Sequence, residues 1–430
     1  MLSVELQPLS ADSPVAGSTE KASSSTKPVY QAFRETCVDH PVLASFLIFV
    51  PLGITSHALK CSDPTIFTLN FLGIVPLAWL IGKTTEDLAC HTNQVLGGLI
   101  NATFGNVVEM LLCCWGIIYG QITVVQATLV GSILSNLLLV MGTSFLYGGF
   151  YHQRQVFNQE GAKVQSSLLL LALLTLVLPT MFSELETKND TSMQEVLLMS
   201  RMGSFFLLVV YAQYLYFQIS THADLFQDEE EQDEEPSFFF SGAMLVLSVA
   251  TVLTAIMSEY LIQSIEATVL NFGTSKEFIG IIVLPIIGNA AEHYTAIIMA
   301  GRNKMDLSLG VAVGSGCQMM LLVTPITVLM GWYADEPMSL NFHPFQIAVL
   351  LVSVLIVNRI LANGETNWLE GVMLVNAYVF IAMMYFLQTE AQADRRKESA
   401  KKESAVHNIF RSGRIYFFTP NDIFVIFTPY

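Results

Sequence analysis

The chain of 430 residues is strongly apolar, with 53% hydrophobic and only 13% charged residues, about half the charged share of an ordinary soluble protein. Twenty Lys and Arg against 36 Asp and Glu give a net charge of −16, which disfavours nucleic acid as a partner. These numbers argue against a soluble enzyme and a nucleic-acid-binding protein, and favour a protein embedded in a lipid bilayer.

A polar tail and eleven apolar segments follow one another along the chain. Residues 1–40 contain no basic stretch followed at once by an apolar one, so we expect a disordered tail without a cleavable signal peptide. Each apolar segment is long enough, or nearly so, to cross about 30 Å of hydrocarbon. We therefore predict an all-α polytopic membrane protein with about eleven transmembrane helices. They lie at residues 41–59, 65–82, 94–119, 122–149, 164–183, 195–219, 238–265, 278–300, 307–332, 344–361 and 369–388.

Basic residues in the connections predict the orientation of these spans. With the N-terminus in the cytosol, nine Lys and Arg residues fall on the cytosolic side and three on the other, as the positive-inside rule requires. Seven more basic residues, among them Arg395 and Lys401, follow the last span, and an odd number of spans places them on the far side. Either late charges are tolerated there, or one span is miscounted.

An acidic run separates the sixth and seventh spans. Such a run is either a solvated connection or an element that concentrates divalent cations near a cytosolic mouth. Its carboxylates are Asp228, Glu229, Glu230, Glu231, Asp233, Glu234 and Glu235.

Two motifs recur along the chain at one fixed offset. Gly-Asn-Val-Val-Glu at 105–109 in the third span returns 183 residues later as Gly-Asn-Ala-Ala-Glu at 288–292 in the eighth. The same offset relates Gly-Ser at 131–132 to Gly-Ser at 314–315. Coincidence is a poor explanation for two motifs that keep the same spacing, so we infer an internal repeat.

The repeat predicts the domain organisation. Each unit covers five spans, an odd number, so the two units face opposite ways in the membrane. Transporters built on this plan bind their substrate near mid-membrane, where the two units meet. The predicted parts are a cytosolic tail at 1–40, an extra first helix at 41–64, a first five-helix repeat at 65–219, an acidic segment at 220–237, a second five-helix repeat at 238–388 and a C-terminal tail at 389–430.

Glu109 and Glu292 are predicted to lie inside the hydrocarbon. A carboxylate at a helix centre there costs roughly 2.5–3.5 kcal/mol on an insertion scale, so each needs a partner or a proton. A lone glutamate can be an accident of helix packing, whereas two in matching motifs favour function. The preceding Gly and Asn lie one turn earlier on a similar face and add backbone and amide oxygens, although alone they would be interpreted as packing residues.

These residue types suit a hard divalent cation, which takes roughly six to eight oxygen ligands, and calcium is the best single candidate. Ser135 and Asn136 offer further oxygens, but for them, as for Ser132 and Gln318, structural hydrogen bonding explains the residue equally well. The residues assigned to the cation and proton site are Glu109, Glu292, Asn106, Asn289, Gly105, Gly288, Ser132, Ser315 and Gln318, with Glu109 and Glu292 as metal ligands.

A buried pair of carboxyl groups binds protons and a cation in competition. A site that holds either two protons or one divalent cation is neutral in both states, whereas the empty, ionised pair is penalised by burial. Exchange of a cation for protons therefore follows from the residue types.

Four further residues are weaker candidates. His293 lies about 100° around the helix from Glu292, so it is either a packing residue or a proton relay or selectivity residue beside the site. Glu86, Glu259 and Glu266 lie near span ends and are either solvated or stepping stones for cations that enter the site.

These motifs resemble those of the vacuolar cation/proton exchangers, a family of Ca²⁺/H⁺ antiporters within the calcium/cation antiporter superfamily. The two Gly-Asn-x-x-Glu motifs, His293 after the second, the two Gly-Ser pairs and the acidic segment all match, and the resemblance covers about residues 40 to 390. The sodium/calcium exchangers of the superfamily carry Gly-Thr-Ser patterns at these places, which this sequence lacks.

The resemblance implies an eleven-span fold that exports cytosolic Ca²⁺, or Mn²⁺ or another divalent cation, into a vacuole or other acidic organelle in exchange for protons. It implies alternating access by movement of the long first helix of each repeat. It also implies Glu109 and Glu292 as shared metal and proton sites, His293 as a functional position and the acidic segment as a regulatory element. The substrates are Ca²⁺ and H⁺, no cofactor is expected, and a homo-oligomer is left open.

Two other functions are weighed against antiport. A divalent-cation channel would use the same oxygens, but it would not move cations uphill when a proton gradient is imposed. An intramembrane metal-dependent hydrolase would use Glu292 and His293. This alternative is weaker because His-Glu-x-x-His is absent and a hydrolytic zinc ordinarily takes three protein ligands and an open position.

Overall fold

The structure is a computed structural model that describes residues 29–92, 94–186, 193–225, 236–388, 415–417 and 425–427. The acidic run 228–235 and most of both tails therefore lie outside the described residues. Almost all of the described chain is helical, as expected where backbone polar groups must be satisfied within each span.

The described residues of the first half form ten α-helices, and a π-helical segment joins the seventh to the eighth. These elements are α1 (Val29–Asp39), α2 (Pro41–Phe46), α3 (Phe49–Ala58), α4 (Asp63–Cys90), α5 (Gln94–Phe104), α6 (Val107–Ile118), α7 (Ile122–Leu134), π1 (Ser135–Val140), α8 (Met141–Tyr151), α9 (Gln159–Glu186) and α10 (Met193–Tyr216). A second π-helical segment, π2 (Phe217–Thr221), and a 3₁₀ turn (Ala223–Leu225) follow α10.

The second half repeats the pattern of long helices and interrupted ones. Its elements are α11 (Phe240–Phe272), α12 (Lys276–Phe278), π3 (Ile279–Val283), α13 (Leu284–Gly288), α14 (Ala290–Gly301), α15 (Met305–Gln318), π4 (Met319–Val323), α16 (Thr324–Tyr333), α17 (Pro344–Leu361) and α18 (Trp368–Gln388). Strands β1 (Gln155–Val156) and β2 (Glu365–Thr366) pair antiparallel, as do β3 (Ile415–Phe417) and β4 (Val425–Phe427).

The helices confirm the predicted polytopic membrane fold. Nine helical runs of the described chain are long and apolar enough to cross a bilayer, and a tenth results if Lys276–Gly288 and Ala290–Gly301, which meet at 59°, form one span. The apolar helix α6 is shorter and follows α5 after a break. The count of eleven spans stays a prediction.

The long helices α4 and α11, of 28 and 33 residues, pack along each other. A small residue on α4 allows this close packing, because a Cβ atom added at Gly73 would overlap the methyl group of Met257 on α11. Gly53 on α3 approaches the same methyl group, which would lie 2.7 Å from an added Cβ atom. The shared core of α4 and α11 also includes α6 and α13, so this helix pair supports the two helices that carry the repeated motifs.

Contacts between connections fix the helices at one end of the molecule. Arg154 forms an ion pair with Glu365 beside the β1–β2 ladder. The Gln155 side chain donates to the Ala300 carbonyl oxygen at 2.8 Å. These contacts join the connections that follow α8 and α17 to the end of α14. They therefore hold the ends of these three helices together.

Candidate cation and proton site

Each repeated motif coincides with a break in a helix. The first break lies between α5 and α6, where Asn106 has φ −112° and ψ 21°. The second lies between α13 and α14, where Asn289 has φ −91° and ψ 16°. Glu109 and Glu292 each occupy the first turn of the helix that starts after the Asn. The sequence motif is therefore also a structural motif, in which a helix stops, turns and restarts with a carboxylate.

The breaks create opposite electrostatic environments side by side. The N-terminus of α6 or α14 favours the ionised form of the glutamate in its first turn. The C-terminus of the preceding helix presents carbonyl oxygens and the negative end of its dipole, which favour a cation. Broken helices of this kind form ion sites in membrane transporters.

The two motifs meet inside the molecule. A Cβ atom added at Gly288 would lie 2.6 Å from Oε1 of Glu109, so the carboxyl group of the first motif rests against the backbone of the second. Glu292 lies close enough to Glu109 for the two charges to interact. Glu109 is only 1% exposed, whereas Glu292 is partly exposed. The carboxyl pair is thus largely withdrawn from solvent, and Glu292 is its more exposed member.

Hydrogen bonds orient the two asparagine side chains. The Asn289 amide nitrogen donates to the backbone oxygen of Ser132 at 3.2 Å. Because a backbone carbonyl can only accept, this contact fixes which end of the amide is the nitrogen. The Asn106 amide nitrogen donates to Oε1 of Gln318. Both amide oxygens therefore stay available to a ligand.

The site contains many buried oxygens that lack a hydrogen-bond partner among the described residues. Buried polar atoms in proteins are normally partnered, so such a group indicates a ligand. Carboxylate, amide and hydroxyl oxygens together are the donor set of a hard divalent cation. The eight oxygens are Asn106 Oδ1, Glu109 Oε1 and Oε2, Ser132 Oγ, Ser135 Oγ, Asn136 Oδ1, Asn289 Oδ1 and Glu292 Oε2.

Helices α7 and α15 bring the Gly-Ser pairs to this place. A Cβ atom at Gly131 would overlap the backbone oxygen of Ile281, so α7 packs directly against π3, which leads into the second motif. Ser315 is buried, and its hydroxyl oxygen accepts from the Asn136 amide nitrogen at 3.2 Å. At Gly105, an added Cβ atom would lie 2.6 Å from the Asn101 carbonyl oxygen.

The weaker candidates lie around this centre. The His293 side chain is partly buried and lies against the backbone of Leu139 in π1. Glu266 pairs with Lys276 at 3.5 Å, and Glu86 is exposed on α4. Whether these two residues are stepping stones for cations stays a prediction.

Glu259 belongs to a polar network at a helix end. Its Oε1 accepts from the hydroxyl group of Tyr119 at 2.8 Å and from Gln263 at 3.2 Å. The network joins α11 to the end of α6, so Glu259 has a structural partner in the structure. Any role as a stepping stone stays a prediction.

Sequence reasoning missed an ion pair in helix α4, just beyond the end of the predicted span 65–82. Asp87 is buried, pairs with Lys83 at 3.2 Å and accepts from the backbone nitrogen of Phe238 at 2.9 Å. It thereby ties the end of α4 to the segment that precedes α11. The signal was present in the sequence, because Lys and Asp four residues apart face each other on a helix.

Comparisons with known proteins identify the family of this chain. The sodium/calcium exchanger protein family matches residues 63–220 and 242–387. The Ca(2+)/H(+) antiporter of Aphanothece halophytica is 40% identical over 360 residues, which cover 80% of this chain and 96% of that protein. Vacuolar cation/proton exchanger 2 of Arabidopsis thaliana is 39% identical over 360 residues, which cover 81% of each.

Solved structures show the same fold. The native structure of YfkE is 34% identical and superposes with a TM-score of 0.70 over 80% of this chain and 99% of its own. The H+/Ca2+ exchanger CAX, at 14% identity, superposes with a TM-score of 0.65 over 89% of this chain and 99% of its own. The chain therefore belongs to the sodium/calcium exchanger protein family of membrane transporters, and the relatives named here are cation/proton exchangers.

Proposed function

We propose that this chain is a secondary-active antiporter that moves cytosolic Ca²⁺ in exchange for protons from an acidic lumen. One observation carries the proposal: the Glu109 carboxyl group rests against Gly288 of the second motif, and its two oxygens belong to a set of eight buried oxygens without partners in the described chain. Mn²⁺ and other divalent cations with the same ligand preference are further substrates of this class of site.

The carboxyl pair explains the coupling between cation and protons. Two protons or one divalent cation leave Glu109 and Glu292 neutral overall, and the empty ionised pair is penalised by burial. The site therefore changes sides only when it is loaded with one substrate or the other. This is the requirement for obligatory exchange, and no covalent chemistry and no cofactor is needed.

Two features support an inverted repeat around the site. The family matches the chain in two separate stretches. The helix breaks at Asn106 and Asn289, and the segments π1 and π4, recur at or within one residue of the 183-residue offset of the sequence motifs. A single site between two such units can face either side of the membrane in turn.

The orientation and location are part of the proposal. With a cytosolic N-terminus, the span of α12 to α14 runs toward the cytosol, so the partly exposed Glu292 lies on the cytosolic half. Several relatives are named as vacuolar cation/proton exchangers or as a vacuolar calcium ion transporter, which supports the membrane of a vacuole or another acidic organelle.

Transport into vesicles tests the function. Purified protein in vesicles with an acidic interior is expected to take up Ca²⁺ against its gradient, and a protonophore is expected to stop the uptake. Glu109→Gln or Glu292→Gln, nearly isosteric but unable to ionise, should abolish uptake. The matched control Glu160→Gln changes an exposed glutamate at the start of α9 and should not.

Two results would contradict the antiporter. Wild-type uptake rates in Glu109→Gln or Glu292→Gln would show that the carboxyl pair is not required for transport. Cation movement that only follows its own gradient, whatever the proton gradient, would indicate the channel instead. Elution profiles and melting temperatures of the variants, compared with those of the wild type, establish that they are folded.

A further inference from the structure

A buried tyrosine extends the group of unpartnered oxygens beyond the carboxyl pair. Tyr378 on α18 is 4% exposed, and Ser135 and Asn136 on π1 are fully buried. The Tyr378 hydroxyl group, Ser135 Oγ and Asn136 Oδ1 have no hydrogen-bond partner among the described residues. Nothing in the carboxyl site itself requires a tyrosine on the last span, so this hydroxyl group needs its own explanation.

Close backbone packing brings α18 to π1. A Cβ atom at Gly142 would lie 2.9 Å from Cβ of Leu374 and 3.1 Å from the carbonyl oxygen of Gly371. Helix α8, which continues π1, therefore packs backbone against backbone on the start of α18. One turn further along α18, the Tyr378 hydroxyl group lies beside Ser135, near enough to interact but outside hydrogen-bond geometry.

The internal repeat shows that this position differs between the two halves. Ser135 precedes Gln318 by the repeat offset of 183 residues. Gln318 reaches Asn106 and accepts from its amide, whereas the amide of Asn289 donates to the Ser132 backbone instead. At this repeat position, one half of the site has Gln318, whose amide bonds to that of Asn106. The other half has Ser135, whose hydroxyl group lies beside Tyr378.

Neutral hydroxyl groups pass protons and do not retain Ca²⁺. A hydroxyl oxygen accepts one proton while it gives up another, so each relay step leaves the group unchanged. A divalent cation withdrawn from water is held mainly by carboxylate charge, which Tyr378 lacks. A branch of this composition therefore discriminates between the two substrates of an exchanger.

We propose that Tyr378 and Ser135 form a proton branch that carries protons to and from the Glu109 and Glu292 carboxyl pair, separately from the path of the cation. The proposal rests on the proposed antiport function. It assigns Tyr378 a role in proton transfer and none in holding the cation. The side chain of Tyr378 therefore affects only those transport modes in which protons move.

Two modes of transport separate this role from a structural one. Exchange of Ca²⁺ for protons requires proton transfer, whereas exchange of Ca²⁺ for labelled Ca²⁺ across the same vesicle membrane moves no proton. In Tyr378→Phe, which removes only the hydroxyl group, we expect the Ca²⁺/H⁺ rate to fall about tenfold, because a positioned proton-transfer group contributes at least this much. The Ca²⁺/Ca²⁺ rate should stay within about twofold of the wild type, since the cation path is unchanged.

A matched control lies on the same helix. Tyr385, seven residues further along α18, is 2% exposed, and its ring lies 5.3 Å from that of Phe345. Tyr385→Phe removes the same atom from an equally buried position outside the branch, so both transport rates should match those of the wild type.

Ser135→Ala provides an independent test should Tyr378→Phe fold poorly. Because Ser135 Oγ also belongs to the eight oxygens of the cation site, the Ca²⁺/H⁺ rate should fall by a larger factor than the Ca²⁺/Ca²⁺ rate in this variant. The double variant Ser135→Ala/Tyr378→Phe should exchange Ca²⁺ for protons no more slowly than the slower single variant, because both residues serve one relay. In D₂O, the slowing of Ca²⁺/H⁺ exchange should be larger for Tyr378→Phe than for the wild type.

The branch is overturned if Tyr378→Phe and Ser135→Ala slow both modes equally, or slow neither. Either result leaves the antiport function intact as long as wild-type vesicles perform Ca²⁺/H⁺ exchange. Absence of that exchange in the wild type would instead refute the proposed function itself. The two failures are therefore distinguishable in one set of vesicles.

Discussion

At the residue scale, the site depends on which atoms are already satisfied. The amide nitrogens of Asn106 and Asn289 are used by Gln318 and by the backbone of Ser132, and their oxygens are left for a ligand. Both oxygens of Glu109 are likewise unpartnered among the described residues. The hydrogen-bond donors of these side chains therefore bond to other groups of the protein, and their acceptor oxygens are left for a ligand. A cation requires this arrangement.

Gly288 makes this arrangement possible, and its replacement is a direct test. In Gly288→Ala the new methyl group would lie 2.6 Å from Oε1 of Glu109, so the carboxyl group must move away from the second motif. We expect the affinity for Ca²⁺ to fall at least about tenfold, since a displaced ligand costs more than roughly 1.4 kcal/mol. Calorimetric titration of the purified protein measures this change.

Gly310→Ala is the matched control for this experiment. Gly310 lies in α15, and within the described chain nothing comes within 4 Å of an added Cβ atom. The control should bind Ca²⁺ like the wild type. Equal affinities for Gly288→Ala and the wild type would contradict the contact between the two motifs.

The sequence predicted some of these residues and missed others for a physical reason. Glu109 and Glu292 could be recognised from the sequence, because an ionised carboxylate in hydrocarbon has a high free-energy cost whatever its neighbours are. Tyr378 could be recognised only from its neighbours on other helices, which are set by packing between segments far apart in sequence. The sequence also indicated Asn136 and Ser315 as polar residues near the site. The hydrogen bond between them, across 179 residues, could not be predicted from the local sequence.

At the element scale, the helix breaks and π-helical segments determine where the ligands point. The sequence identified the apolar segments but not these interruptions, because Gly and Asn within an apolar run fit either a ligand or a helix break. A π-helical turn has no strong sequence signal of its own, and such turns are frequent at functional sites. The positions of π1 and π4 at corresponding places in the two halves therefore became visible only in the structure.

The approach of α7 to π3 gives an element-scale prediction. Gly131 lies directly against the backbone of Ile281, whereas the nearest atom to an added Cβ at Gly314 is Gln165 Nε2 at 3.6 Å. Gly131→Ala should push the helices apart and destabilise the protein by about 1–3 kcal/mol, with a lower melting temperature in detergent. Gly314→Ala, at the corresponding place in the second repeat, should melt like the wild type. A melting temperature of Gly131→Ala equal to that of Gly314→Ala would contradict this packing.

At the scale of the whole molecule, the account requires a defined orientation in the membrane. Two native cysteines test it, since Cys61 is exposed before α4 and Cys90 is exposed at its end. With a cytosolic N-terminus, α4 places Cys61 in the lumen and Cys90 in the cytosol. In intact organelles, a membrane-impermeant maleimide should therefore label a variant that retains only Cys90 and spare one that retains only Cys61.

Permeabilised organelles provide the control for this labelling. Both variants should react once the membrane is opened, which shows that the thiols are accessible. Cys37 is removed from both variants, because burial raises the pKa of its thiol and makes its slow reaction hard to assign. Labelling of Cys61 in intact organelles would reverse the proposed orientation.

The whole account depends on one site that holds either Ca²⁺ or protons. The most direct measurement is the release of protons when Ca²⁺ is added to purified protein in weakly buffered solution. The account predicts a saturable release that follows Ca²⁺ binding, needs more Ca²⁺ as the pH falls because protons compete for the same carboxyl groups, and is lost in Glu109→Gln and Glu292→Gln. Tight binding of Ca²⁺ with no release of protons at any pH would contradict it.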